Sequence, residues 1–143
     1  MNPASRLLAV ALASSVAMLG AGPALAEIIT LNVENRYGAP LEFRAGSGFQ
    51  GRLDAAMPRV IAPGETITRR LRTAFPNSQG GGFRYGDGTG RECDFGMSRL
   101  RDPGGPWQMP VLRARASRAG IGCRAEPESI EPGGDFSIRF IVE

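Results

Sequence analysis

The chain has 143 residues with 17 basic and 14 acidic side chains, a net charge of +3, and no histidine. Without imidazole, Ser–His and Cys–His nucleophilic systems are excluded, as are zinc and blue-copper sites in their usual form. Every basic residue is arginine, and so small an excess of charge supplies no bulk attraction to nucleic acid.

Arg6 stands near the N-terminus, an uncharged stretch follows from Leu7 to Leu19, and Gly22-Pro23 precedes Ala24-Leu25-Ala26, the small-x-small pattern of a signal-peptidase site. Residues 1–26 are therefore predicted to be a signal-peptide helix that is cleaved, leaving 27–143 as a single exported domain. The apolar run is too short to span a bilayer core, which needs about 20 helical residues, and no longer one follows, so no transmembrane segment is expected in the mature chain. Export places Cys93 and Cys123 in a thiol-oxidising space, periplasmic or extracellular, where they are predicted to form one structural disulfide.

Beyond residue 26 no apolar period of 3.6 is sustained, whereas alternation recurs between glycine and proline punctuation. Ile29, Leu31 and Val33 alternate with Thr30, Asn32 and Glu34. Asn35 to Pro40 then supplies turn residues before Leu41, Phe43 and Ala45, so the first two strands are expected to form a hairpin. A looser stretch over Gly46 to Pro58 leads to Val60-Ile61. Pro63-Gly64 suits the centre of a type II turn, and Thr66 to Thr73 is the next strand. Asn77 to Gly82 is read as flexible loop. Phe83 and Tyr85 precede the turn Gly86 to Gly90, and the returning strand points Cys93, Phe95 and Met97 to one face and Glu92 and Asp94 to the other. Arg99 to Pro110 is irregular, Val111 to Ser117 is a strand, Gly120 to Arg124 a short one, and Phe136, Ile138, Phe140 and Val142 close on strict alternation. The expected fold is all-β: a small immunoglobulin-like or related two-sheet β-sandwich of 7–8 strands.

Four groups of residues invite a functional reading. Asp87, Glu92 and Asp94 lie on one hairpin, but their spacing matches no calcium loop, and Glu92 with Asp94 lacks the deep cleft a glycosidase pair requires. No metal or other cofactor is expected. Trp107, on the stiff segment Pro103 to Pro110, is either a contact platform or a core plug packed over the disulfide. With Arg99 and Arg101 it would form a contact whose base the disulfide anchors. Arg113 and Arg115 share one strand face, and Arg70 and Arg72 another. Side by side, such arginines hold sulfate, phosphate or carboxylate groups bidentately, or they merely protect strand edges.

The sequence thus specifies an exported, non-enzymatic binding or structural module. Its glycine- and proline-rich loops, around Gly80–Gly90 and Pro103–Pro110, would contact an envelope polymer, a glycan or another exported protein. An inhibitor of a secreted hydrolase is the alternative, favoured by the stiff bridged loop. A membrane-active or self-assembling protein using Phe49, Phe75 and Phe83 is another. No motif specifies the ligand or the oligomeric state.

Overall fold

The computed structural model describes residues 26–143; the expected signal helix, all but its last residue, falls outside that range. Ten strands form two five-stranded sheets packed face to face, with no helix among the described residues. They are β1 (Ile28–Asn35), β2 (Leu41–Phe49), β3 (Gly51–Leu53), β4 (Val60–Ile61), β5 (Thr66–Thr73), β6 (Ser78–Gly86), β7 (Glu92–Leu100), β8 (Val111–Ala116), β9 (Cys123–Ile130) and β10 (Phe136–Val142). The first sheet runs β3-β5-β1-β10-β9 and the second β4-β2-β6-β7-β8. Strand β1 pairs with β10 in parallel, and every other pairing is antiparallel. The two-sheet all-β expectation holds.

The alternating strands bury the face their pattern assigns. Ile29, Leu31 and Val33 of β1 and Ile138 and Phe140 of β10 meet Phe83, Tyr85 and Phe95 across the sandwich, all fully or almost fully buried. Phe83, Phe95 and Phe140 form an aromatic nucleus with ring centroids 5.0 to 5.5 Å apart in edge or tilted arrangements. Each of these buried side chains contributes about 1.5–3 kcal/mol through apolar area removed from water. The Tyr85 hydroxyl donates to Pro58 O at 2.8 Å, and burial raises its pKa, so the phenol stays neutral.

Four local expectations change. First, β1 and β2 do not form a hairpin: they lie in different sheets. Buried Asn35 directs the chain out of β1, its Nδ2 donating to Ala39 O (3.0 Å) and Ile61 O (2.9 Å) while its Oδ1 accepts from Tyr37 N. A turn whose backbone groups are bound to a side chain can become a corner between layers. Second, the looser stretch contains the end of β2 and all of β3. Gly51, at φ 151°, carries the chain from the second sheet to the first, and a Cβ there would lie 2.1 Å from Arg72 O. Third, Ser78 to Gly82 is not loop but the start of β6, with Gly81 leaving room for the Phe49 ring. Fourth, β9 is a full strand of 8 residues despite Pro127. It lies at a sheet edge with a bulge, since Ser137 pairs with Ser129 but Ile138 with Pro127. An edge position is where a strand tolerates a residue without an N–H.

Candidate functional site

The segment between β7 and β8 folds inward. Arg99 is only 3% exposed and has no carboxylate partner. Its Nε donates to Gln108 O (2.7 Å), Nη1 to Gly134 O (3.0 Å) and Glu131 O (3.2 Å), and Nη2 to Glu131 O (3.2 Å). Carbonyl oxygens of the β7–β8 and β9–β10 connections therefore solvate this cation in place of water, and burial lowers its pKa. Trp107 is 8% exposed, with its ring 5.8 Å from the Arg99 guanidinium carbon and 4.6 Å from that of Arg101. Gly134 is required beneath the indole, because a Cβ there would lie 2.6 Å from Nε1. Burial places Trp107 in the interior, as a plug would be, but against Arg99, Arg101 and Gly134 and not over the disulfide. Arg101 is half-exposed, pairs with Glu27 at 3.6 Å, and donates through Nε to Pro76 O.

The disulfide lies elsewhere. Cys93 at the start of β7 bonds Cys123 at the start of β9, tying the two sheets together. Arg99 is six residues further along β7, about 20 Å at strand rise. The bridge therefore closes the opposite end of the sandwich and does not anchor the Trp107 segment. By the same geometry the β6–β7 turn lies at the disulfide end, and the two loops expected to form one contact are held apart.

On the outer face of the second sheet the acids do not converge on a common point. Asp87 accepts from Thr89 N and Oγ1 and from the Tyr37 hydroxyl, and these bonds, the Thr89 hydroxyl foremost, depress its pKa. Glu92 pairs with Arg84 (3.5 Å) and Arg44 (3.9 Å), and Asp94 with Arg113 (3.4 Å). Arg113 and Arg115 do share the solvent face of β8, as their spacing implies, and Arg115 lies opposite Asp94 in the register. Arg84, Glu92, Asp94, Arg113 and Arg115 line a shallow depression of about 380 Å³ in which cations and anions are interleaved.

The first sheet presents a different surface. Arg70 and Arg72 of β5 point outward, and β3 sets Arg52 directly opposite Arg72. No carboxylate within the described residues forms an ion pair with any of the three. They line an open depression of about 420 Å³ together with Asp54, Leu53 and Ile28. Asp54 belongs to the backbone: its Oδ1 accepts from Arg70 N (3.0 Å) and Ala55 N (2.9 Å), and these bonds, Arg70 N first, lower its pKa. Like charges directly opposite on neighbouring strands disfavour the pairing by up to about 1 kcal/mol. Arg70 and Arg72 are legible as a pair in the sequence, but Arg52 is not, because its three-residue strand is too short to show a period; the out-and-in order of Arg52 and Leu53 after Gly51 is its only local signal.

No family model matches this sequence, and no curated protein matches it. Among solved structures, IP-1A from Alcaligenes faecalis is similar in fold, with a TM-score of 0.51 and 11% identity over 82% of this chain and 91% of that one. At that identity the likeness concerns the arrangement of strands alone.

Proposed function

We propose that the protein is an exported, non-enzymatic binding module for an anionic component of the cell envelope, held by Arg52, Arg70 and Arg72. The observation that carries this reading is the arrangement of three outward guanidinium groups without an ion-pair partner, two of them opposed across a strand pair where their mutual repulsion is unfavourable. An anion bound between them relieves that repulsion and takes up their donors in bidentate geometry. A disulfide between the sheets is compatible with an oxidising, exported location, and no described helix is long and apolar enough to cross a membrane. The test is direct binding of the sulfated polymer dextran sulfate at several salt concentrations. The expected result is an affinity that falls with salt and is lost in Arg70→Gln/Arg72→Gln while Arg113→Gln/Arg115→Gln binds normally; the reverse pattern would move the site to the second sheet.

A second reading has its own observation. Phe75 and Leu100 (each 52% exposed), Met109 (70%) and Val111 (68%) stand at the Trp107 end, where Arg101 N donates to Asn77 O and joins the loops. Of the three phenylalanines considered for a membrane role only Phe75 is exposed, since Phe83 is buried and Phe49 stacks on it at 6.0 Å. This apolar end suits adsorption to a lipid surface. Co-sedimentation with phosphatidylglycerol vesicles, and its loss in Phe75→Ser/Met109→Ser, is the corresponding measurement.

A further inference from the structure

The arginine depression does not end at β5. It continues across the first sheet as a shallow groove of about 230 Å³, of mixed polar and apolar lining, that shares Ile28 and Arg70 with it. The register sets Arg70 opposite Thr30, Thr30 opposite Ser137, and Ser137 opposite Ser129, so one row of side chains crosses β5, β1, β10 and β9. The row spans four strands, about 14 Å at the usual spacing. Its character changes along the way, from the Arg70 guanidinium at β5, with Arg72 and the opposed Arg52 two residues along, to hydroxyls at β1, β10 and β9.

Two carboxylates flank this row. Asp54 stands at the arginine end. Asp135 lines the hydroxyl end, where its Oδ1 accepts from Ile28 N at 2.7 Å. Each has its Oδ1 committed to backbone N–H and its Oδ2 free of those bonds, so each can accept from a ligand hydroxyl. Ser129 Oγ and Ser137 Oγ lie 3.0 Å apart, and a hydroxyl pair that shares one hydrogen still has a donor and lone pairs to offer. The carboxylates repel an anion placed along the whole groove, whereas a neutral polyol section meets acceptors and donors there. The large exposed apolar side chains lie outside this groove.

We infer that the groove is built for an acidic glycan, with a sulfate or phosphate substituent on Arg52, Arg70 and Arg72 and unsubstituted sugar hydroxyls along Thr30, Ser137 and Ser129. This assignment rests on the anion-binding reading above and adds the sugar to it. A purely anionic polymer satisfies only the arginine end and is opposed by Asp54 and Asp135. A lipid headgroup satisfies that end and leaves the hydroxyl row unused.

The test compares four probes on the full mature chain at one ionic strength: dextran sulfate, polyphosphate, unsubstituted dextran and phosphatidylglycerol vesicles. Dextran sulfate is expected to bind at least about fivefold more tightly, per anionic group, than polyphosphate, the factor one retained hydrogen bond supplies. Dextran is expected to bind weakly. The double variant Ser129→Val/Ser137→Val, whose β-branched replacements suit strands, should lose that preference while keeping its melting temperature and its affinity for polyphosphate. Equal binding of dextran sulfate and polyphosphate, or an unchanged preference in the valine variant, overturns the glycan assignment and leaves the anion site standing. So does vesicle binding in the absence of dextran sulfate binding. If no polyanion binds and Arg70→Gln/Arg72→Gln changes nothing, the anion-binding reading itself fails and the glycan assignment with it.

Discussion

Two outward faces of this sandwich carry arginine at alternating strand positions, and they differ in what stands beside it. On the second sheet Arg44 pairs with Glu42 of its own strand, and β7 places Glu92 and Asp94 between the basic strands β6 and β8 within 4.0 Å of Arg44, Arg84 and Arg113. Arg115, without an ion pair among the described residues, has Asp94 as its cross-strand neighbour. On the first sheet the edge strand β3 adds Arg52 beside Arg70 and Arg72, and the flanking acids, Asp54 and Asp135, each accept from backbone N–H groups and form no ion pair with the three. Exposed ion pairs stabilise by only about 0–1 kcal/mol each, so the second face is well accounted for as a solvated surface. The first is arranged against its own stability. Charge composition alone does not separate these two faces; the cross-strand neighbour does.

A third arginine environment sets the scale for disturbing this comparison. Arg99 is interior, and replacing it with methionine removes the donors of four hydrogen bonds; Gly134 O keeps Gln79 Nε2 and Glu131 O keeps Gly134 N, so Gln108 O alone is left without a donor. A buried acceptor so stranded costs about 1–3 kcal/mol, so Arg99→Met should lose about 1–3 kcal/mol in chemical denaturation. A loss below about 0.5 kcal/mol would put Arg99 with the surface arginines. Next in size, Arg72→Gln should weaken dextran sulfate binding about tenfold, the effect of one charge-assisted contact, while Arg113→Gln changes it less than about twofold. The acids sharpen the contrast from the other side. Asp94→Asn releases Arg113 and should create weak anion binding on the second face, measurable as new salt-dependent retention of Arg70→Gln/Arg72→Gln on a sulfated resin.

Two smaller effects follow from the first face alone. Arg52→Thr removes the opposed charge and should stabilise the fold by up to about 1 kcal/mol while weakening anion binding, a trade a solvated face does not make. The Asp54 carboxyl titrates below its ordinary value of 3.8 in the native state. A depressed native pKa contributes stability that is present above the ordinary value and is lost as pH falls through the native one. Protonation also leaves the three guanidinium groups less compensated. Sulfate binding should therefore strengthen slightly as pH drops through the depressed Asp54 value, and Asp54→Asn should abolish that dependence in a titration with dextran sulfate.

Much of the architecture is legible in side-chain order. Alternation over Ile29 to Val33, Cys93 to Met97 and Phe136 to Val142 identifies strands and their buried faces, because a period of two is a local property. Pro63-Gly64 behaves as its chemistry implies, with Gly64 at φ 79° and Glu65 N bonded to Ala62 O. What local order conceals is the partner. The segment after β1 has the residues of a hairpin turn, yet Asn35 uses its side chain to reach Ile61 and turns the chain between layers. The glycines of β6 look like loop because they leave no apolar pattern, although close approach by Phe49 at Gly81 and Ser47 at Gly82 calls for glycine there. The residues proposed to bind an anion divide in the same way. Arg70 and Arg72 are visible as a pair two positions apart. Arg52 joins them only because Gly51 carries the chain across to the other sheet.

The order of residues by itself determined an all-β chain without imidazole chemistry, in which two half-cystines are joined and arginine supplies every positive charge. Those properties depend on composition and on neighbours along the chain. Tertiary structure alone decided which arginines are solvent for the interior, which are neutralised and which stand unpaired, and it joined the Thr30, Ser137 and Ser129 hydroxyls into one row. The reason is that a charge is compensated by its nearest neighbour in space, and in a sandwich built of cross-strand pairs that neighbour is set by strand order and register.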